Sequence, residues 1–339
     1  MRSKKISKTI LARNILVTRQ RLPLEVKVRI TKLRIIKWYE HWNGAVYVAV
    51  SGKDSLVLLD IVRSIYPNVV AVYSDTGLEY PEVKEVIKQL DNVIIVRPKK
   101  SFREVINHYG YPVVSKKVSR AIRDLKNPTD RNINIRNLYM TGITSTGNLC
   151  PSRKLAKKWY PLIQAPFKCS EVCCDKLKKE PLKTFEKATG LKPFIGVMAD
   201  EGGEREKQYL ADGCNAFDHK SPQSRPMGFW TQQDVLQYIV NHNLKIPTVY
   251  GDIVEIDDIL QTTGERRTGC MFCMFGVHME KEPNRFQRME KSHPKQYNYC
   301  INNLGIGKVL DFIDVPYTEH EERVKVGDQW AIQYKLDVG

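Results

Sequence analysis

The stretch AVYVAVSGKDSLVLLDIVRSIY, residues 45–66, decides the fold. AVYVAV (45–50) is an unbroken apolar, β-branched run, the pattern of a strand buried on both faces of a parallel sheet. SGKDS (51–55) interrupts it with small and polar residues, and LVLLDIVRSIY then repeats its apolar residues at helical spacing. The unit reads as strand, tight turn, and helix from about Asp54. Backbone N–H groups converge at such a turn and the helix N-terminus adds partial positive charge, so phosphate is its natural occupant. Lys53 supplies a point charge, and Ser51 and Ser55 supply hydroxyls. The GxxxxGK[ST] of a Walker loop is absent. Taken alone, the same turn also reads as an ordinary strand–helix connection.

The alternation continues outward. A strand VVAVY (69–73), the loop SDTGLEYP, a helix from Pro81, a strand NVIIV (92–96) and a helix from Ser101 follow. FIGVM (194–198) reads as a strand, and TQQDVLQYIVNH (231–242) as a helix with Thr231 as N-cap. Strands and helices alternating at this pace predict an α/β fold, a Rossmann-like parallel sheet with flanking helices. Ligands of such sheets gather at the carboxyl ends of strands, so Asp75, Thr76 and Gly77 are expected beside the phosphate turn. Residues 24–40 have helical apolar spacing, 127–150 read as a loop insertion, and 316–339 as a terminal hairpin. The expected organisation is a basic helical arm (1–40), a nucleotide-binding α/β domain (41–250), and a C-terminal region with a C-x-x-C and terminal strands (251–339).

Composition narrows the class. The 339 residues are 42% hydrophobic and 27% charged, which excludes wholesale disorder. No run of about 18 apolar residues exists, so no membrane span is expected. Eight cysteines without a secretory h-region point to a reducing, cytoplasmic setting, where thiols serve metals or catalysis. Net charge is +16, and residues 1–37 hold twelve Lys and Arg against one acid, Glu25. Such an arm attracts nucleic acid by counterion release; a solvated basic helix and an organelle transit segment are the other readings.

KCSEVCCDKLKKEPL (168–182) and TGCMFCMFG (268–276) carry the remaining chemistry. Cys270 and Cys273 form a C-x-x-C, whose sulfurs converge on one metal centre; Cys173 and Cys174 are adjacent. Four thiolates suit an iron–sulfur cluster or zinc, and unliganded core thiols are the bland alternative. Cys169 could compete as a ligand, whereas Cys150, Cys214 and Cys300 have no metal spacing and read as buried structural thiols. Lys116, Lys117 and Arg120 share helical spacing, as a polyphosphate clamp or a solvated basic face.

SGKDS resembles the PP-loop of the N-type ATP pyrophosphatase superfamily, SGGxDS, with one glycine fewer. SDTGLEYPEV (74–83) looks like the phosphoadenosine phosphosulfate (PAPS) reductase branch. The adjacent cysteines, with Lys178 and Pro181–Leu182 after them and a distant C-x-x-C, resemble the iron–sulfur signature of assimilatory adenylyl-sulfate reductases. PFIGVMADEGGEREKQYL (193–210), with Arg205, is similar to the family's substrate loop. FWTQQDVLQYIVNHNLKIPTVY (229–250) is similar to its WT-x-x-DV helix and the stretch after it. The resemblance spans about residues 40–315.

The resemblance implies an adenine-nucleotide alpha-hydrolase-like fold. It implies nucleotide binding by Ser51, Gly52, Lys53, Asp54, Ser55, Asp75, Thr76, Gly77, Lys116 and Arg205, with Lys53, Asp54 and Asp75 catalytic and Mg²⁺ on Asp54 or Asp75. It implies a [4Fe–4S] cluster on Cys173, Cys174, Cys270 and Cys273, supported by Lys178. Sulfite-forming members act with a cysteine in a C-terminal Glu-Cys-Gly segment; residues 301–339 hold no cysteine, and Cys300 sits in an unrelated YNYCINN. The expected activity is therefore ATP pyrophosphatase. It would activate a nucleic acid, DNA or tRNA held by the basic arm, for sulfur transfer from a donor protein, releasing AMP and pyrophosphate. The alternatives are a PAPS or adenylyl-sulfate reductase and a nucleic-acid-binding module with an inactive nucleotide fold.

Overall fold

The computed structural model describes the backbone of residues 2–318, 321–326 and 329–334, and the side chains of residues 10–318. The chain divides into two units, each built from two separate stretches: Met1–Pro98 with Lys179–Gly269, and Lys99–Lys178 with Cys270–Gly339. This division cuts across the boundaries at 40 and 250 expected from sequence.

The first unit carries α1 (Arg2–Gln20), α2 (Leu24–His41), β1 (Val46–Val50), α3 (Lys53–Arg63), β2 (Val70–Ser74), α4 (Pro81–Lys88) and β3 (Val93–Val96). β1 pairs in parallel with β2, and β2 with β3. On its other side β1 pairs in parallel with the strand Lys192–Ile195, which is followed in the sheet by Gln223–Ser224 and Asn215–Ala216. Only the last pairing is antiparallel. The α/β fold with a parallel-dominated sheet is thus as expected. Its strand order reverses at β1, so the carboxyl end of β1 is a topological switch point, where open α/β sheets bind their ligands.

The helices cover the sheet with an apolar core that includes Trp38, Tyr47, Leu58, Ile61, Phe194 and Trp230. The basic arm is part of this packing. Lys27 on α2 is buried and makes a 2.7 Å ion pair with Asp234 on the helix Gln232–His242. Trp230 donates from its indole nitrogen to Thr31 at 2.9 Å. On α1, Arg13 pairs with Glu206 at 3.0 Å and Arg19 donates to the Tyr209 hydroxyl at 3.1 Å. Thr231 caps the helix Gln232–His242 as predicted, its hydroxyl accepting from Asp234 N–H.

In the second unit, Ser101 and Glu104 form a capping box on the helix Phe102–Tyr109. The segment 127–150, expected to be loop, contains the helix Ile133–Thr141. Its apolar residues fall on both faces: Leu138 and Tyr139 are buried while Ile133 and Met140 are exposed, so the helical period is faint in the sequence. Val113–Val114 and Met274–Phe275 pair as two short parallel strands. The predicted terminal hairpin is present as the antiparallel strands Glu321–Val326 and Gln329–Tyr334. Among the described residues no helix is long and apolar enough to cross a membrane.

Candidate nucleotide site and cysteine site

The turn after β1 forms as its residues dictate. Gly52 is the N-cap of α3 in an extended conformation, and Lys53 opens the helix. Ser55 closes the turn: its hydroxyl accepts from Ser51 N–H and donates to the Gly52 carbonyl, both at 2.7 Å. In-register pairing of Val50 with Tyr73 sets the loops after β1 and β2 at the same edge of the sheet. The loop after Lys192–Ile195 joins them because residue 196 is glycine; a Cβ there would stand 2.9 Å from the Ser55 Cα.

Residues distant in sequence complete the turn. The hairpin Ile253–Ile256 and Ile259–Thr262 folds back so that Gly264 N–H bonds the Tyr250 carbonyl at 2.8 Å, which aligns Tyr250 with Thr268. The Tyr250 hydroxyl accepts from Lys53 N–H at 3.1 Å and lies 2.6 Å from the Thr268 hydroxyl. Both hydroxyls fill the space where a Gly52 side chain would stand, 2.5 and 2.7 Å from its built Cβ. Gly52 is therefore required by close packing, not by backbone angle.

The electrostatics are cationic. The Lys53 side chain is 2% exposed; its ammonium lies 3.3 Å from Asp54, donates to the Arg266 carbonyl at 3.3 Å, and sits over the Tyr250 ring. Burial pushes the Lys53 pKa down; Asp54 opposes this, and Arg267 and Arg266 add to it. Arg205 is likewise lowered by burial and by Arg267, with Asp54 opposing. Glu201 pairs with Arg205 and, at 3.3 Å, with Arg267. The cations Lys53, Arg205, Arg266 and Arg267 thus crowd around the turn with two carboxylates, Asp54 and Glu201, and an arriving anion relieves their repulsion. Asp54 Oδ1 is buried, and Lys53 is its ion-pair partner.

Asp75 is occupied differently. It pairs with Lys84 at 2.8 Å and Arg97 at 3.5 Å, and accepts from Gly77 N–H at 3.2 Å. Burial raises its pKa, but these bonds outweigh it and hold the carboxyl below its ordinary value. Thr76 is buried and donates to Glu79 from both N–H and hydroxyl. Gly77 has positive φ and open space around it. A cavity of about 390 Å³ beside Lys53 and Arg266 is walled by Leu236, Ile259 and Leu260, within the size range of small-ligand pockets. Gln232 also lines it and carries a buried side-chain nitrogen without a hydrogen-bond partner. Sequence reasoning missed Tyr250, Thr268, Glu201, Arg266 and Arg267 as site residues. The adjacent arginines in GERRTGC were the one local signal.

The cysteine site lies in the second unit. The strand pair Val113–Val114 with Met274–Phe275 draws the C-x-x-C segment alongside residues 113–116. Arg285 holds it, donating to the Cys273 carbonyl at 3.0 Å while paired with Glu280. Val114 is a buried β-branched residue at φ +63°, a strained conformation of the kind that gathers at functional sites. Cys173, Cys174, Cys270 and Cys273 come within electrostatic reach of one another. The Cys173 thiol hydrogen-bonds Cys174, raising its own pKa and lowering that of Cys174. Burial opposes the lowering at Cys174, and Lys116 and Lys178 assist it. Burial raises Cys273, while Phe275 N–H, Arg285 and Lys178 oppose this.

The donor chemistry fits a group that takes soft thiolates and tolerates extra negative charge. Among the described residues, no three His, Cys, Asp or Glu side chains stand ready around a single metal ion. A lone tetrahedral ion needs its sulfurs within about 4 Å of each other. An iron–sulfur cluster places each sulfur on a different iron, so the set tolerates wider spacing.

The other predicted cations also fall in this unit. Lys116 acts on Cys174, Lys117 donates to the Ser152 carbonyl, and Arg120 pairs with Glu171 at 2.8 Å. Cys169 is buried beside Tyr111, and burial pushes its thiol up to about 12. Cys214 and Cys300 are buried, as expected, and burial raises both thiols. Cys150 departs from expectation: it is half-exposed, 3.8 Å from the Ser152 hydroxyl.

The chain is similar to the crystal structure of phosphoadenylyl-sulfate (PAPS) reductase from Candida auris, phosphate complex, at 13% identity and a TM-score of 0.37, covering 70% of this chain and 88% of that one. No curated protein sequence matches. The profile of the phosphoadenosine phosphosulfate reductase domain matches residues 45–274, from the start of the decisive strand to just past the C-x-x-C, and the chain belongs to the phosphoadenosine phosphosulfate reductase family.

Proposed function

We propose that the protein is an iron–sulfur ATP pyrophosphatase of this family, acting in the cytoplasm to activate a nucleic acid for sulfur transfer. The observation that carries the reading is the cationic turn at the switch point: a buried, under-compensated Lys53 with Arg205, Arg266 and Arg267 around it. Such a group stabilises charge on a triphosphate and on the departing pyrophosphate. The apolar wall of the neighbouring cavity suits an adenine ring, and the unpartnered Gln232 nitrogen is a donor for it or its ribose.

Asp54 is the better of the two carboxylates for Mg²⁺, because it faces one ion-pair partner, Lys53, whereas Asp75 already neutralises two cations. Bound there, Mg²⁺ would neutralise phosphate charge. An acceptor oxygen attacks the α-phosphorus, the α–β bridging bond breaks, and pyrophosphate leaves. Sulfur from a donor protein then displaces AMP from the adenylylated acceptor. Cys173, Cys174, Cys270 and Cys273 would hold a [4Fe–4S] cluster, which supplies an anionic, redox-capable centre; Lys116 and Lys178 balance its charge.

The family match itself favours a second reading, a reductase that makes sulfite. That attack on sulfur requires an accessible thiolate. Cys300 is fully buried, and Cys150 is the half-exposed thiol outside the cluster set.

The test is pyrophosphate release from ATP and Mg²⁺ by anaerobically purified full-length protein, with and without duplex DNA or tRNA. Release stimulated by one nucleic acid, and reduced at least about 100-fold by Lys53→Met, is expected. No release, together with sulfite formation from PAPS that Cys150→Ser abolishes, overturns it.

A further inference from the structure

The basic arm is not the only basic region of the chain. Residues 99–178 hold seventeen Lys and Arg against five Asp and Glu, while everything outside 1–37 and 99–178 holds twenty-five against thirty-two. Folding gathers part of this excess onto one face of the second unit. The helix Lys116–Lys126 packs against the 3₁₀ segment Lys157–Ile163, and Lys117 ties the helix start to the Ser152 carbonyl. Arg153, Lys154, Lys157 and Lys158 are exposed there, and none forms an ion pair among the described residues. Of the segment's five acids, Glu171 is paired with Arg120 and Arg123, and Asp124 with Arg123.

Two features mark this face as a place for phosphates. Lys116 and Lys117 occupy the first turn of their helix with no acid beside them, which sets cations against the positive end of the helix dipole. A solvated helix gains from the opposite arrangement, so this end is over-charged until an anion arrives. The Lys158 ammonium lies over the half-buried Trp159 ring, 4.8 Å from its centroid, within the same cationic run. The ring also meets His278 edge-on at 5.1 Å, and an indole beside a phosphate-binding track is a feature that nucleic-acid binders use for base stacking.

We infer that Arg153, Lys154, Lys157 and Lys158, with Lys116 and Lys117, form the docking face for the nucleic-acid backbone. This rests on the reading of a nucleic acid as sulfur acceptor, and it moves the principal binding surface from the arm to the second unit. The pairing of Val113–Val114 with Met274–Phe275 sets the start of this helix beside the C-x-x-C segment, so the phosphate track ends at the cysteine site.

The experiment is fluorescence anisotropy of full-length protein with a labelled duplex DNA and a labelled single-stranded RNA, without ATP, across a salt series. The variant Arg153→Gln/Lys154→Gln/Lys157→Gln/Lys158→Gln is compared with wild type and with Arg29→Gln/Lys32→Gln/Lys37→Gln on the arm. The expected result is at least a tenfold fall in affinity near physiological salt. The log–log salt slope should flatten by about 0.9 for each phosphate no longer neutralised on duplex, or about 0.7 on single strand. Coinciding melting curves, expected because all four side chains are exposed, exclude misfolding as the cause. An unchanged slope, or a larger fall in the arm variant, overturns the inference. So does charge-dependent binding to phosphatidylserine vesicles with no binding to either nucleic acid. ATP is absent, so a failure of the pyrophosphatase reading leaves this result readable, and a failure here leaves turnover untouched.

Discussion

The phosphate turn and the cysteine site are built by opposite strategies. The turn uses backbone: the Ser51 and Lys53 amides are tied to the Ser55 and Tyr250 hydroxyls, and its walls arrive from positions 196, 201–205, 250 and 264–268. The cysteine site uses four side chains from two short segments, and the backbone's task is to bring those segments together through one pair of two-residue strands. The first site is sensitive to added volume at Gly52 and to the charges gathered around it. The second depends on the identity of four side chains, since the proposed cluster would be held by thiolates.

The sharpest break between them is Cys270→Ser. Bound iron should fall to background, read by iron assay and loss of the brown colour. Pyrophosphate release should fall far less, because every residue around the turn belongs to the other unit. Turnover that falls in proportion to iron would place the cluster in the chemistry and erase the distinction. Gly52→Ala is the complementary lesion. Its methyl group would meet the Tyr250 and Thr268 hydroxyls well inside van der Waals distance. The expected cost is about 1–3 kcal/mol of stability, with turnover abolished and iron retained. Release at wild-type rate would mean that Tyr250 swings away freely and is not a wall of the site.

Much of this was legible in the sequence, for physical reasons. A buried parallel strand has little choice of residue, so AVYVAV announced β1, and with VVAVY and NVIIV it marked out the sheet. Cysteine spacing pointed to the second site because ligands must converge, and Cys173 lies within electrostatic reach of Cys174, Cys270 and Cys273. The walls of the turn were not legible. Tyr250 and Thr268 are unremarkable until a hairpin folds them onto Gly52, and Arg266 and Arg267 look like surface charge. Lys116 was misleading in another way: its helical partners Lys117 and Arg120 suggested one clamp, but each has a different neighbour. The helix Ile133–Thr141 escaped because its buried face is two residues wide and other apolar residues, Ile133 and Met140, face outward.

The smallest effect separates two carboxylates within the turn itself. Asp75 has its pKa held below the ordinary value, so its contribution to stability is complete above its unfolded pKa of about 3.9 and is lost as pH falls through the folded one. Asp75→Asn should therefore cost about 0.5–1 kcal/mol at neutral pH and flatten the acid limb of a urea-midpoint profile below about pH 4. Because Lys84 and Arg97 already satisfy Asp75, its loss should leave the Mg²⁺ concentration for half-maximal turnover unchanged. Asp54→Asn, which alters the carboxylate with a single cation partner, should raise that concentration at least tenfold. The opposite ranking would move the metal to the loop after β2 and make the Lys84 pair a resting arrangement that the nucleotide must break.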